Sequence, residues 1–191
     1  RTELGAELRK MFVAGPGMVL VDADYSQIEL RLLAHISGDE AMRSAFRSGG
    51  DFHTETAAKV FHVDPSDVTS EMRRRAKAVN FGIVYGISAF SLSQDIGVTV
   101  AEAKAYMEAY FTTFPGVRQY MDGVVEKAKE TGYVETLFHR RRELPELKSS
   151  NFNLRSFGER VALNMPIQGT AADIMKLAMI AGWKRLREEH P

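Results

Sequence analysis

One stretch of this 191-residue sequence places cations and aromatic rings in a regular order: RRRAKAVNFGIVYG, residues 73–86. Four of its side chains recur at every fourth position: Arg73, Lys77, Phe81 and Tyr85. On an α-helix this spacing forms one slanting stripe, ~18 Å long at ~1.5 Å per residue. The cations come first, near a helix N-terminus that attracts anions, and the rings follow. The stripe matches the reach and chemistry of a nucleoside triphosphate.

The same spacing also fits a structural interpretation, a solvated basic turn followed by aromatic core residues. The coincidence of both features on one stripe favours a ligand. Gly82 lies inside the predicted helix, where glycine costs ~1 kcal/mol relative to alanine. It therefore indicates that something packs closely against the backbone there.

A second candidate site lies in MVLVDADY, residues 18–25, a short apolar run that ends in acid. The run predicts a buried strand with Asp22 and Asp24 on one face. A carboxylate at a strand end suits Mg²⁺, although Asp24 also fits a turn former or a helix cap. Glu29 is the next candidate acid, but its spacing from Ser26 is equally that of a capping box.

The Asp-x-Asp-x-Ser pattern of residues 22–26 fits a different chemistry as well. Haloacid-dehalogenase-type phosphatases present a nucleophilic Asp and an acid/base Asp in this way, here Asp22 and Asp24. That fold needs several parallel strands that alternate with helices. The sequence predicts only one buried strand.

The surrounding elements are predicted to be mostly helical. An N-terminal helix ends by Gly15, and residues 39 to about 131 are almost wholly helical, with a capping box at Thr99 and Glu102. GYVETLFHRRRELP, residues 132–145, alternates like a hairpin with His139 in its turn. A last helical region runs to residue 189, and Pro166 predicts a kink or break within it. The fold class is thus α+β, predominantly helical.

Composition limits the class of protein. Lys+Arg and Asp+Glu are equal at 25 each, so any nucleic-acid contact must come from local clusters. The sequence has no cysteine and no apolar run of the ~20 residues that span a bilayer. These features predict a cytoplasmic protein with no membrane partner.

Five segments, in order, resemble those of the family A (DNA polymerase I-like) DNA polymerases. DYSQIELRLLAHISGD is similar to motif A and RRRAKAVNFGIVYG to motif B; the others are DFHTETA, GYVETLFHRRR and NMPIQGTAADIMKLAM. The resemblance covers essentially all 191 residues. It implies a partial palm with a small sheet at 1–35, an inserted helical fingers subdomain at 36–150, and palm helices at 151–191.

The resemblance also implies roles for single residues. Asp24 matches the aspartate that binds both catalytic Mg²⁺ ions, with the carbonyl of Tyr25 as a further ligand. Glu29 matches the residue that blocks a ribose 2′-hydroxyl.

On the fingers, the resemblance implies a deoxynucleoside triphosphate site. Arg73 and Lys77 match residues on the triphosphate, Lys77 as a catalytic group, with His53 nearby. Phe81 and Tyr85 match residues against the sugar and the nascent base pair. Asn164 and Gln168 resemble residues that contact the minor groove of primer-template DNA.

The sequence departs from the family pattern in two respects. His139 stands where the family usually has glycine. Motif C, which carries the second metal-binding aspartate, is expected beyond the final helix, and the thumb and exonuclease-type domains before residue 1. We therefore expect a polymerase fragment that is inactive alone; the alternative is a non-catalytic nucleotide- or DNA-binding module.

Overall fold

Helices dominate the computed structural model, which describes residues 3–189. In chain order they are α1 Glu3–Arg9, α2 Ile28–Ser37, α3 Glu40–Arg47, α4 Phe52–Phe61, α5 Ser70–Val84, α6 Ala89–Ile96, α7 Val100–Thr113, α8 Pro115–Thr131 and α9 Phe152–Glu189. Two strands, β1 Tyr133–Glu135 and β2 Arg141–Glu143, form an antiparallel hairpin. The predominantly helical α+β class is confirmed.

The main hydrophobic core lies where α2, α4, α5 and α7 meet. Phe52 of α4 is 1% exposed and stacks on Phe46 with ring centroids 4.4 Å apart. Ile83 of α5 and Tyr110 of α7 are buried in the same cluster. Buried aromatic and aliphatic side chains of this size supply most of the stabilisation. The core therefore fixes α5 against α4 and α2.

A second, smaller core holds the hairpin against α8 and α9. Val134 of β1 packs with Ala128 of α8 and Ala162 of α9. His139, in the hairpin turn, has φ +62°, the left-handed conformation that glycine adopts most easily. The predicted hairpin is confirmed, and the turn keeps a glycine-like backbone although its residue is histidine.

The predicted strand at residues 18–25 is wrong. The segment is irregular, and its apolar side chains are exposed, Val19 by 82% and Val21 by 74%. A strand needs a neighbour for its backbone N–H and C=O groups, and no segment within residues 3–189 pairs with this one. The prediction that Asp22 and Asp24 share a strand face is wrong for the same reason.

The predicted capping box of Ser26 and Glu29 is also wrong. The N-cap of α2 is Gln27, at φ 55°, and its side chain makes no capping hydrogen bond. The second box is confirmed: Thr99 Oγ1 accepts from the Glu102 N–H, and Glu102 Oε2 accepts from the Thr99 N–H at 2.8 Å. The residue pairs Ser26/Glu29 and Thr99/Glu102 have the same spacing, so only the surrounding contacts decide which of them forms a capping box.

Of the kink or break predicted at Pro166, the break does not occur. Helix α9 continues through it, and Pro166 and Ile167 are buried. The hydroxyl of Thr170 donates to the Pro166 carbonyl at 2.5 Å. Proline removes one backbone donor, and packing on this side of α9 offsets that loss. Despite its length, neither α9 nor another helix within residues 3–189 is apolar enough to cross a membrane.

Asp39 joins two helices through one buried carboxylate. Its Oδ1 accepts from the Met42 N–H of α3 at 2.8 Å, and its Oδ2 accepts from the Gly116 N–H of α8 at 2.8 Å. Asp39 is 4% exposed, so water cannot replace it.

We predict that Asp39→Ala lowers the free energy of unfolding by about 3 kcal/mol, because a cap is lost and two N–H groups are left without an acceptor. Urea unfolding followed by circular dichroism measures it. Asp64→Ala is the control, since Asp64 also caps a turn, through Ser66, but is exposed. Equal losses for both variants would contradict the role of Asp39.

Candidate nucleotide and DNA site

Helix α5 turns one face to the core and the opposite face to solvent. Thr69 caps its start by accepting from the Met72 N–H at 3.2 Å, and the helix runs unbroken until Tyr85. The buried face carries small and apolar residues, among them Ala76, Val79 and Ile83. The predicted stripe lies outside that face: Arg73, Lys77 and Tyr85 are exposed and Phe81 is half-buried. The predicted helical spacing is confirmed.

Arg73 is held by a carboxylate that the sequence analysis did not single out. Its Nε donates to Asp51 Oδ2 at 2.7 Å and its Nη2 donates to Asp51 Oδ1 at 3.1 Å. Mainly because of these hydrogen bonds, the pKa of Asp51 lies well below its ordinary value and the pKa of Arg73 is raised. Asp51 immediately precedes α4, a position that indicates a cap but not a partner 22 residues away.

His53 lies next to this pair, and its side chain is oriented by Asn80. Asn80 Nδ2 is 3.0 Å from His53 Nδ1 and donates to Thr56 Oγ1 at 3.3 Å. Thr56 gives its own proton to the Phe52 carbonyl, so its oxygen must accept from Asn80. This fixes Nδ1 of His53 as an acceptor and places the ring proton on Nε2.

The charge state of His53 follows from its surroundings. Burial lowers its pKa first, the positive charges of Arg73 and Lys77 lower it further, and Asp51 opposes them. The imidazole is therefore neutral at pH 7 and acts as a hydrogen-bond donor rather than a cation.

Lys77 completes this cationic group. It is exposed, and within the described chain its ammonium has no hydrogen bond or ion pair. Lys77 lies one helical turn after Arg73 on the stripe, and its positive charge also acts on His53. Arg73 is thus internally paired, whereas Lys77 is available to an anion.

The aromatic half of the stripe borders a cleft of about 480 Å³. Phe81 lies at 5.7 Å from the His53 ring, centroid to centroid, and lines the cleft with Tyr85. A methyl group added at Gly82 would lie 2.7 Å from Ile87 Cγ2. The close packing predicted at Gly82 is confirmed, and its neighbour is Ile87.

Tyr85 connects three helices. Its hydroxyl donates to Glu29 Oε2 of α2 at 2.7 Å, and the residue lines a cleft together with Gln168 of α9. Burial, followed by the Glu29 contact, raises the pKa of Tyr85. Two predicted site residues from distant parts of the chain therefore meet at the ring that ends the stripe.

Asn164 and Gln168 line a second cleft, of about 470 Å³, beside Tyr85. The Asn164 Oδ1 is buried and has no partner among residues 3–189. Arg142 of β2 and Arg160 of α9 also line the cleft. Sequence reasoning missed both arginines: the run RRR at 140–142 indicated only a hairpin, and nothing in the pattern singled out Arg160.

Asp24 and Tyr25 stand apart from this arrangement. Both lie in the exposed segment before α2, and the Asp24 carboxylate makes no hydrogen bond or ion pair with the other predicted site residues in the described chain. Residues 3–189 contain no cluster of three acidic or histidine side chains that could hold a metal ion. Carboxylate and carbonyl oxygens suit Mg²⁺, but this donor set is incomplete.

Comparison with known proteins identifies the family to which this chain belongs. The sequence profile of DNA polymerase family A matches residues 1–191, so the chain belongs to that family. It is 58% identical over 190 residues to DNA polymerase I of Geobacillus stearothermophilus, covering 99% of this chain and 22% of that protein. It is 54% identical over 187 residues to the thermostable DNA polymerase I of Thermus filiformis, covering 98% and 22%. The chain spans about a fifth of the length of these relatives.

A solved structure has the same fold. The chain is 46% identical to the POL domain of Pol1 from M. smegmatis, determined in complex with DNA primer-template and dNTP. The two superpose with a TM-score of 0.90, covering 99% of this chain and 34% of that one.

The charge state of His53 gives a pH-dependent prediction. Its pKa in the folded protein is below the unfolded value of about 6.5, so the unfolded state binds the proton first. The contribution of neutral His53 to the free energy of unfolding is complete above pH 6.5. It is lost as the pH falls through about 6.5 toward the folded pKa. We expect an NMR titration of His53 to show the lowered pKa, and His53→Gln to flatten the fall in unfolding free energy below pH 6.5. His62→Gln, at an exposed position, is the control and should leave that fall unchanged.

Proposed function

We propose that this chain is the nucleotide- and template-binding part of a DNA-directed DNA polymerase, which adds deoxynucleotides to a primer 3′ end. The observation that carries the proposal is the exposed stripe of α5, with Arg73 and Lys77 first and Phe81 and Tyr85 after them. Membership of the family supports it. In this proposal residues 36–150 are fingers, and residues 1–35 and 151–191 belong to the palm.

The triphosphate binds at the N-terminal half of the stripe. Lys77 has an unpaired ammonium in the described structure, and Arg73 presents a guanidinium whose donors suit phosphate oxygens. Neutral His53 adds an Nε2–H donor. Together these groups offset phosphate charge as it moves toward the leaving pyrophosphate, which makes Lys77 the catalytic group among them.

The base and sugar lie at the C-terminal half of the stripe. Phe81 and Tyr85 offer flat faces beside the 480 Å³ cleft. Glu29, which accepts a hydrogen bond from the Tyr85 hydroxyl at 2.7 Å, has the role of excluding a ribose 2′-hydroxyl in this proposal. The same contact explains why a deoxynucleotide is the preferred substrate in this proposal.

Primer-template DNA lies against the cleft beside α9. Asn164 and Gln168 are four residues apart and face it together, and the unpartnered Asn164 Oδ1 is suited to a donor from a base edge. Arg142 and Arg160 in the same wall suit phosphates. The second cleft therefore extends the nucleotide site toward a duplex.

Mg²⁺ belongs to the proposal as two ions in the complete enzyme, with Asp24 and the Tyr25 carbonyl as donors. Bound there, the ions would activate the primer oxygen and stabilise the pyrophosphate. The described residues bring no second carboxylate to Asp24. In this proposal the further metal donors, including motif C, belong to segments outside the part of the relatives that this chain matches. The thumb belongs there as well. A cytoplasmic location fits these partners.

Two other functions are less well supported. The phosphatase interpretation fails, because residues 3–189 contain one antiparallel hairpin instead of a parallel sheet. A non-catalytic nucleotide-binding module would share the stripe but would not extend a primer. Primer extension by the full-length protein that contains this chain separates that alternative from a polymerase.

Lys77→Ala tests the phosphate half of the site in the full-length protein. We expect kcat/KM for a deoxynucleoside triphosphate to fall about 10- to 100-fold, the effect of losing a hydrogen bond to a charged group. Steady-state primer extension measures it. Arg74→Ala is the matched control on the same helix, because Arg74 is paired with Glu71 and lies off the stripe. An unchanged kcat/KM for Lys77→Ala would remove Lys77 from the site.

Phe81→Tyr tests the ring half of the site. The added hydroxyl can replace the hydrogen bond of a missing sugar 3′-hydroxyl, so discrimination against dideoxynucleotides should fall by about tenfold or more. The ratio of kcat/KM for deoxy- and dideoxynucleotides measures it. Phe90→Tyr, at an exposed position of α6, should leave the ratio as it is. Unchanged discrimination in Phe81→Tyr would count against the assignment.

A further inference from the structure

We propose that Asp51 is a positioning residue that holds the Arg73 guanidinium ready for the triphosphate. The inference rests on the proposed function, because it assumes that Arg73 binds phosphate. Asp51 itself touches no substrate in this proposal. It acts through the two hydrogen bonds that it accepts from Arg73.

Asp51 is well suited to this role because its own carboxylate is fixed. It is the N-cap of α4, and its Oδ2 accepts from the Thr54 N–H at 3.0 Å and from the Thr54 hydroxyl at 2.6 Å. The next residue, Phe52, is 1% exposed in the main core. The carboxylate is thus attached to one of the most firmly packed points of the fold.

The geometry leaves Arg73 able to bind a ligand. Asp51 takes Nε and Nη2, one edge of the guanidinium, and Nη1 has no partner within the described residues. A guanidinium has five N–H donors, so several remain for phosphate oxygens. Arg73 is otherwise a long and flexible side chain, 48% exposed, and fixing it in advance removes part of the entropy cost of binding.

Asp51 also places a negative charge beside the proposed anion site. Repulsion between this charge and the triphosphate would weaken binding, whereas positioning of Arg73 strengthens it. A carboxylate that merely competed with the triphosphate would weaken binding, and its removal would strengthen it. The bidentate contact on one edge favours positioning over competition, because the ligand does not need to displace Asp51. The two roles predict changes of opposite direction in the nucleotide KM.

The test measures kcat and KM for a deoxynucleoside triphosphate in the full-length protein with Asp51→Asn, Asp51→Ala, Arg73→Ala and the Asp51→Ala/Arg73→Ala double variant. Asparagine remains a good helix N-cap, so Asp51→Asn keeps α4 while removing the charge and one acceptor. We expect Asp51→Asn to raise KM about fivefold with kcat nearly unchanged, the size of one partly exposed ion pair. The double variant should match Arg73→Ala alone, because positioning has no value without Arg73.

Asp122→Asn is the matched control, since Asp122 pairs with Arg118 on α8 in another exposed Arg–Asp contact and should not alter KM. A lower KM for Asp51→Asn would show competition and overturn the proposal. If Arg73→Ala raises KM and Asp51→Asn does not, the positioning role of Asp51 is disproved and the phosphate role of Arg73 stands. If Arg73→Ala has no effect, the phosphate role of Arg73 and this inference both fail, whereas primer extension still tests the polymerase assignment. An added loss in the double variant would show that Asp51 acts through the fold and not through Arg73.

Discussion

The site depends on the packing of α5 against α4 and α2. Because Val79, Ile83 and Val84 are buried in the main core, the helix cannot rotate, and its opposite side must face solvent. Every polar or aromatic group of the stripe is positioned by that burial. Asn80 belongs to the buried face, yet it reaches His53 and so sets the tautomer of a side chain in the site.

The three basic side chains of the candidate site have three different environments. Arg73 is paired and fixed, Lys77 is exposed and unpaired within the described structure, and His53 is kept neutral by burial and by its positive neighbours. An equal number of acidic and basic residues in the whole chain is compatible with this local concentration of positive charge. Local arrangement, and not net charge, produces the positive charge of this surface.

The two clefts meet at Tyr85, so the cleft beside the stripe is continuous with the cleft beside α9. The hairpin is attached to α9 by a buried polar group: Thr136 donates to Asp173 Oδ2 at 3.0 Å, and Arg140 pairs with the other oxygen of Asp173. Leu137 adds a backbone N–H to Thr170 at 3.1 Å. These contacts set the position of Arg142 in the cleft wall.

Features with a local cause were predictable from the sequence. The period of α5, the capping box at Thr99, the hairpin and the tight packing at Gly82 depend on residues within a few positions of each other. Predictions that relied on an unseen neighbour failed. Residues 18–25 have strand composition, but no strand lies beside them within residues 3–189, and the break predicted at Pro166 is absent because α9 is packed on both sides of it.

The sequence by itself determined which residues form the stripe, because type and helical spacing place Arg73, Lys77, Phe81 and Tyr85 on one side. Only the tertiary structure decided their partners. Asp51 meets Arg73 across 22 residues and Glu29 meets Tyr85 across 56, and both contacts arise from how helices pack. Such pairings depend on the burial of side chains elsewhere in the core, which no local pattern records.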